Sequence, residues 1–127
     1  MNEDYVFFEA AKLLKEKGFD WGCQAFYNVN GMLAASPVHT INDELGDSDI
    51  ACPTLYITQK WLREVKGIYV WVEPVVGHKW TVSFCDLNVS AEESDWIERE
   101  LHKDGYPIYE DYTEALNTGI LEVLNLI

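Results

Sequence analysis

Cations are scarce in this chain: nine Lys and Arg stand against 22 Asp and Glu in 127 residues, a formal net charge of −13. That balance opposes binding to nucleic-acid phosphates or to anionic lipid, both of which need concentrated basic residues. Cysteine is equally sparse. Cys23, Cys52 and Cys85 are odd in number, widely spaced and form no C-x-x-C, so neither a disulfide framework nor a thiolate zinc site is signalled. A reducing compartment, the cytoplasm, is the expected setting. No apolar run approaches the roughly 20 residues of a membrane-spanning helix. The opening "MNEDYVFFEAAKLLKEKG" has neither a basic leader nor a continuous apolar stretch, so it reads as an amphipathic helix and not as a signal peptide. Glycine-rich phosphate loops are missing, since the spacing from Gly18 to Gly22 has no Lys-Ser/Thr ending. "GDSDI" offers Asp47 and Asp49 without the other ligands of a calcium loop. No cofactor or metal is expected.

What is present argues for a folded protein. Apolar residues make up 48% of the chain, with five Trp, seven Tyr and five Phe, far from the composition of a disordered segment. The length suits one domain over residues 1–127, and a chain of this size buries roughly two thirds of the surface it exposes when unfolded.

Apolar periodicity predicts a helix over 4–17, with Phe7, Ala11 and Leu14 on one stripe and Gly18 as its stop. Asn30-Gly31 marks a hairpin between strands at 22–28 and 31–35. Residues 36–51 are rich in turn formers and carboxylates and read as an exposed loop. Pro53 fits the first position of a helix carrying Ile57, Trp61, Leu62 and Val65 at helical spacing, which Gly67 ends. "IYVWVEPVV" and "KWTVSFCDL" flank Gly77-His78 as a second hairpin. Ser90 with Glu93 forms a capping box for a charged helix over 91–103. "YPIYED" suits a short edge strand, and Leu116, Ile120, Val123, Leu124 and Ile127 stripe a last helix over 113–126. The order implies an α+β fold: an antiparallel or mixed sheet of four to five strands with helices packed mainly on one face.

Three blocks, "FFEAAKLLKEKGFD", "PTLYITQKWLREVKGIYVWVEP" and "YEDYTEALNTGILEVLNLI", together cover about half the chain. They resemble, in that order, small phage- or prophage-encoded proteins of unknown function from gut Bacteroidetes. The likeness is carried by QKWLRE, Gln59 to Glu64, and YEDYTEAL, Tyr109 to Leu116. It implies a bacterial or phage cytoplasmic accessory protein and transfers no catalytic residue.

Catalysis by a thiol or hydroxyl needs a neighbouring base held by a third group. Cys23, Cys52, Cys85, His39, His78 and His102 sit in no such motif, and a small thiol on a strand is most often a packing residue. Cys85 across the second hairpin from His78 is the one pairing worth naming, and a non-enzyme is the favoured reading. Between Glu92 and Asp111 lie eight acids, including Glu92, Glu93, Asp95 and Glu98. They form either an ordinary solvated helix face or a decoy imitating the phosphates that DNA-binding proteins grip. In the strand after Gly67, Ile68, Val70 and Val72 match the core, which leaves Tyr69, Trp71 and Glu73 on the other face. With helices on one side only, Tyr69 and Trp71 are exposed and Tyr27 joins them from the first hairpin. Such an aromatic patch is the mark of a protein-binding surface. Lys60, Arg63 and Lys66, a third of the basic residues, precede this strand. They either pair with neighbouring acids or complement the acidic region of a second copy, which would favour self-association. A protein partner is therefore expected, with no nucleic acid and no membrane.

Overall fold

The computed structural model describes residues 4–46 and 48–127, and the fold is α+β with antiparallel pairing throughout. The first helix, α1 (Phe8–Glu16), leads into a three-stranded sheet of order β2-β1-β3, made from β1 (Cys23–Tyr27), β2 (Leu33–Thr40) and β3 (Ile50–Ala51). A short helix, α2 (Asn42–Leu45), lies between β2 and β3. Helix α3 (Leu55–Trp61) runs without a break into a π-helical turn, Leu62–Lys66. Two long strands, β4 (Ile68–Val75) and β5 (Lys79–Asp86), then form a separate hairpin, followed by α4 (Ala91–Leu101) and α5 (Tyr112–Leu126).

The expected single sheet of four to five strands is thus two sheets, of three and two strands. The reason lies in 36–51. Read as a loop, this stretch continues β2 to Thr40 and adds α2 and β3, which completes the first sheet and leaves the second hairpin to itself. Asn42 is the anchor: its side-chain amide donates to the Phe19 carbonyl (3.0 Å) while its Oδ1 accepts from Ala51 N–H (2.8 Å). A buried asparagine with both ends satisfied pins a turn-rich and otherwise largely exposed segment to the core.

One apolar core joins the two sheets. It runs from Val6, Ala10, Leu14, Phe19 and Ala25 through Trp61 and Leu62 to Val70, Val82 and Phe84, closed by Leu116, Ile120, Val123 and Leu124 of α5. Helix α5 covers the Val70/Val82 face of the hairpin at close range; a Cβ on Gly119 would meet Val82 Cγ2 at 2.4 Å. The buried Asn117 ties α5 to the chain's start, accepting from Phe7 N–H (2.8 Å) and donating to the carbonyls of Tyr5 and Thr113 (both 3.3 Å).

The helix after Pro53 departs from its expected phase. Thr54, not Pro53, is its N-cap, with Oγ1 accepting from Ile57 N–H (3.2 Å). At Leu62 the pattern opens to i→i+5, and the extra residue per turn rotates the remainder of the helix, so Val65, expected on the core stripe, is 52% exposed. Gly67 closes the turn at φ 70°, and the Asn88 side chain, which donates to the Lys66 carbonyl (2.9 Å), lies 2.8 Å from where a Cβ would stand.

The two edges of the hairpin are covered differently. On β5, the Asp86 N–H donates to Ser94 Oγ (2.8 Å), the Phe84 N–H to the Glu98 carboxylate, and Trp80 exchanges both backbone hydrogen bonds with Tyr109 (2.9 and 2.7 Å). Trp80, Phe84 and Asp86 lie in the same alternating set of one strand, so their groups facing away from β4 are satisfied by α4 and the segment behind it. "YPIYED" contributes this bridge, a hydrogen bond from Thr81 Oγ1 to the Pro107 carbonyl (2.9 Å) and an ion pair between Glu110 and Lys79, but no edge strand of the kind its composition suggests. On β4, Gln59 Nε2 donates to the Val70 carbonyl (2.8 Å) and Pro74 removes a donor.

Candidate functional site

The outer face of β4 carries a ladder of side chains. Tyr69, Trp71 and Glu73 project on the side away from α5 because strand residues alternate, and they stand opposite Cys85, Ser83 and Thr81 of β5. The Tyr69 and Trp71 rings stack, with centroids 5.2 Å apart and planes 21° from parallel. Trp71 Nε1 donates to Glu73 Oε1 (2.8 Å), and the Arg63 guanidinium lies 5.9 Å from the Tyr69 centroid. Each ring is thereby fixed from both ends; Tyr69 stays 40% exposed, whereas Trp71, expected to be exposed as well, is half-buried. An aromatic surface with its rotamers already set loses little entropy when a partner covers it.

The basic residues beside the ladder are left without acids. Of the nine cations, Lys12, Lys79, Arg99 and Lys103 pair with carboxylates, and Lys15 and Lys17 donate to backbone carbonyls. Among the described residues Lys60, Arg63 and Lys66 meet no carboxylate; Arg63 faces the Tyr69 ring and Lys66 the Trp61 ring, 5.5 Å from its centroid. All three belong to α3 or its π turn. Glu64 shares their turn, yet none of the three cations closes an ion pair with it or with any other described carboxylate.

Tyr27 lies elsewhere. It belongs to the other sheet, where its hydroxyl donates to the Val6 carbonyl (2.7 Å) and its ring meets Phe8 edge-on at 5.2 Å. It staples α1 to β1 and does not extend the aromatic ladder.

The acidic residues of α4 separate into three roles. Glu92 and Glu93 occupy the exposed first turn, behind a Ser90 cap that accepts from Glu93 N–H (3.1 Å). Asp95 pairs with Arg99 (3.0 Å) and Glu100 with Lys103 (3.6 Å). Glu98 turns inward, accepting from the Ser83 hydroxyl and the Phe84 N–H, and burial pushes its carboxyl above the ordinary range despite those hydrogen bonds and nearby His102. The row of acids is thus neither uniform nor wholly solvated. Next to it lies a cluster that no sequence motif announces. His102 is buried, its ring stacked on Tyr106 at 4.7 Å and its Nε2 3.7 Å from Glu122 Oε2, whose carboxyl burial also pushes up. The signal available was the i, i+4 spacing of Glu98 and His102 on one helix. Trp96, on the outward side of α4, is one of several surface aromatics outside the expected patch, with Tyr56 of α3 and Phe7.

The thiol–histidine pairings do not assemble a nucleophile. His78 sits at the hairpin turn, and Cys85 is near the opposite end of β5, about 20 Å along an extended strand. A different trio does share a cleft: Cys23, Cys52 and His39 line an open hollow with Tyr5, Gln24, Thr54 and Ile57. Its thiols are set against catalysis. Burial raises Cys23 to about 11 and Cys52 to about 12, and Cys52 Sγ contacts the Val6 carbonyl (3.6 Å), so both hold their protons at neutral pH. Among the described residues no group of three His, Cys, Asp or Glu is arranged to hold an ion, and Asp47 lies outside the described residues. No described helix is long and apolar enough to cross a membrane.

Comparison with protein-family models, with curated proteins and with solved structures found no match to this chain.

Proposed function

We propose that this protein is a non-enzymatic binding module whose Tyr69–Trp71 face, flanked by Lys60, Arg63 and Lys66, receives an acidic segment of a protein partner. The observation that carries this reading is that, among the described residues, those three cations form no ion pair, on the helix that borders the pre-stacked aromatic pair of β4. The rings supply apolar area with few rotors to freeze, and the cations select the sign of the incoming charge. A phage-type accessory role agrees with such a module, as does a cytoplasmic setting. The decoy alternative has less support: Glu98 is turned into the protein, and Asp95 and Glu100 are engaged with cations, so the acids do not present an even row.

The test is selection from a displayed random-peptide library on the immobilised full chain, then titration of the enriched peptides against the parent, Trp71→Ala and Lys60→Glu/Arg63→Glu. Enrichment of Asp- and Glu-containing peptides, weakened at least tenfold in both variants and by added salt, supports the reading. Failure to enrich acidic peptides, or peptides that bind both variants as well as the parent, overturns it.

A further inference from the structure

Residues 87–111 leave β5, form α4 and return to α5, and only two of them are buried: Ser94 and His102, both polar. Most apolar side chains of the segment face water instead, with Leu87, Trp96, Leu101, Tyr106 and Ile108 exposed, while Ile97 and Tyr109 are half-buried against the core. A helix normally stays in place by burying an apolar stripe. This one is held by hydrogen bonds: Ser94 Oγ to Asp86 N–H, the Glu98 carboxylate to the Ser83 hydroxyl and Phe84 N–H, Tyr109 to Trp80, and the Thr81 hydroxyl to the Pro107 carbonyl.

At its centre is the cluster of Glu98, His102 and Glu122, with one carboxylate from α4, the imidazole at the end of α4, and the second carboxylate from α5. Everything charged or titratable that faces it can be named. Asp95 and Arg99 lie on α4 itself, Tyr106 and Tyr109 on the returning segment, and Glu114 on α5; the hydroxyls of Ser83 on β5 and Thr118 on α5 complete the surroundings. The acids outnumber the cations here. A proton held on either carboxyl removes one negative charge; its loss leaves two partly buried carboxylates, one from each helix.

We infer that residues 87–111 form a pH-sensitive strap over the free edge of β5, latched where Glu98 and Glu122 meet at His102, and released from the sheet as pH rises. Both carboxyls are displaced upward by burial, so the closed form binds protons more tightly than the open one, and closure is favoured as pH falls. Opening would bare the outward N–H groups of Phe84 and Asp86 and free Ser83, the residue directly opposite Trp71. The rest of the core stays closed, because Leu116, Ile120, Val123 and Leu124 of α5 are fully part of it, whereas the strap adds only the half-buried Ile97 and Tyr109.

Amide hydrogen exchange of the full chain between pH 5.5 and 8.5, with protection corrected for the intrinsic pH dependence of exchange, tests the latch. The expected result is a loss of protection in α4 of tenfold or more across the range, with α5 and β4 changing far less. Glu122→Gln and Glu98→Gln should each flatten that profile. If α4 exchanges in step with α5 at every pH, there is no separate strap and the inference fails. A pH profile in the parent that persists unchanged in both variants also overturns it, because the latch would then reside elsewhere.

Discussion

Gly119 shows how one missing methyl sets the distance between a helix and a sheet. A Cβ there would stand 2.4 Å from Val82 Cγ2 and 2.9 Å from its Cγ1, both on a buried strand residue with no room to withdraw. Ala in place of Gly raises intrinsic helix stability by up to about 1 kcal/mol, while overpacking a full core costs about 1–3 kcal/mol. The clash wins, so Gly119→Ala should lower the urea midpoint. Adding Val82→Ala should return part of the loss, and strictly additive destabilisation would show that the two side chains do not meet. The thiols give a second test at this scale. With Cys23 near 11 and Cys52 near 12, fewer than about one molecule in a thousand carries either thiolate at pH 7.5. A thiol-titrating disulfide reagent should therefore react quickly with one group, the half-buried Cys85, and with the other two only on unfolding. Rapid reaction at Cys52 or Cys23 in the native protein would reopen the cleft beside His39 as a nucleophilic site.

Elements were legible in the sequence wherever apolar spacing agreed with burial. The stripe of α5, the caps at Ser90 and Gly67, and the alternation of β4 and β5 all come from residues whose side chains choose between core and water. The pair Tyr69 and Trp71 was legible for the same reason, being the polar-side half of a strand whose other half is Ile68, Val70 and Val72. Two kinds of residue escaped. Asn42 and Asn117 are buried through hydrogen bonds to distant backbone, across 23 and 110 positions of sequence, and no local pattern announces such a partner. The π turn at Leu62–Lys66 escaped because its apolar residues fit an α-helical stripe as written; only the structure shows that one extra residue turns Val65 out. That same turn points Arg63 at Tyr69, so the element least visible in the sequence supplies the cation of the candidate surface. Tyr27 failed the other way: its aromatic character was plain, but the division into two sheets, which separates it from Trp71, depends on β3, a strand of two residues with no alternation to reveal it.

At the scale of the whole molecule, charge is the term that packing does not determine. A net charge of −13 on a chain this small repels itself, and folding concentrates that charge. The described ion pairs are exposed or half-exposed apart from the buried His102, and exposed pairs return little. Screening should therefore help more than it harms: the midpoint of thermal unfolding should rise between about 0.01 and 0.5 M sodium chloride, where the screening length falls from about 30 Å to a few ångströms. Acid should act in the same direction over a limited range. Glu98 and Glu122 have folded-state values raised by burial, so the native chain binds more protons than the unfolded one between the ordinary carboxylate range and those raised values. Stability then falls as pH climbs through that window and is recovered on mild acidification, opposite to a protein whose carboxylates are stabilised by ion pairs. Calorimetry at fixed ionic strength from pH 5 to pH 8 separates the two effects. A midpoint that rises with salt and falls with pH fits both. If salt lowers the midpoint, attractive pairing outweighs repulsion across the surface, and net charge is not what limits the stability of this fold.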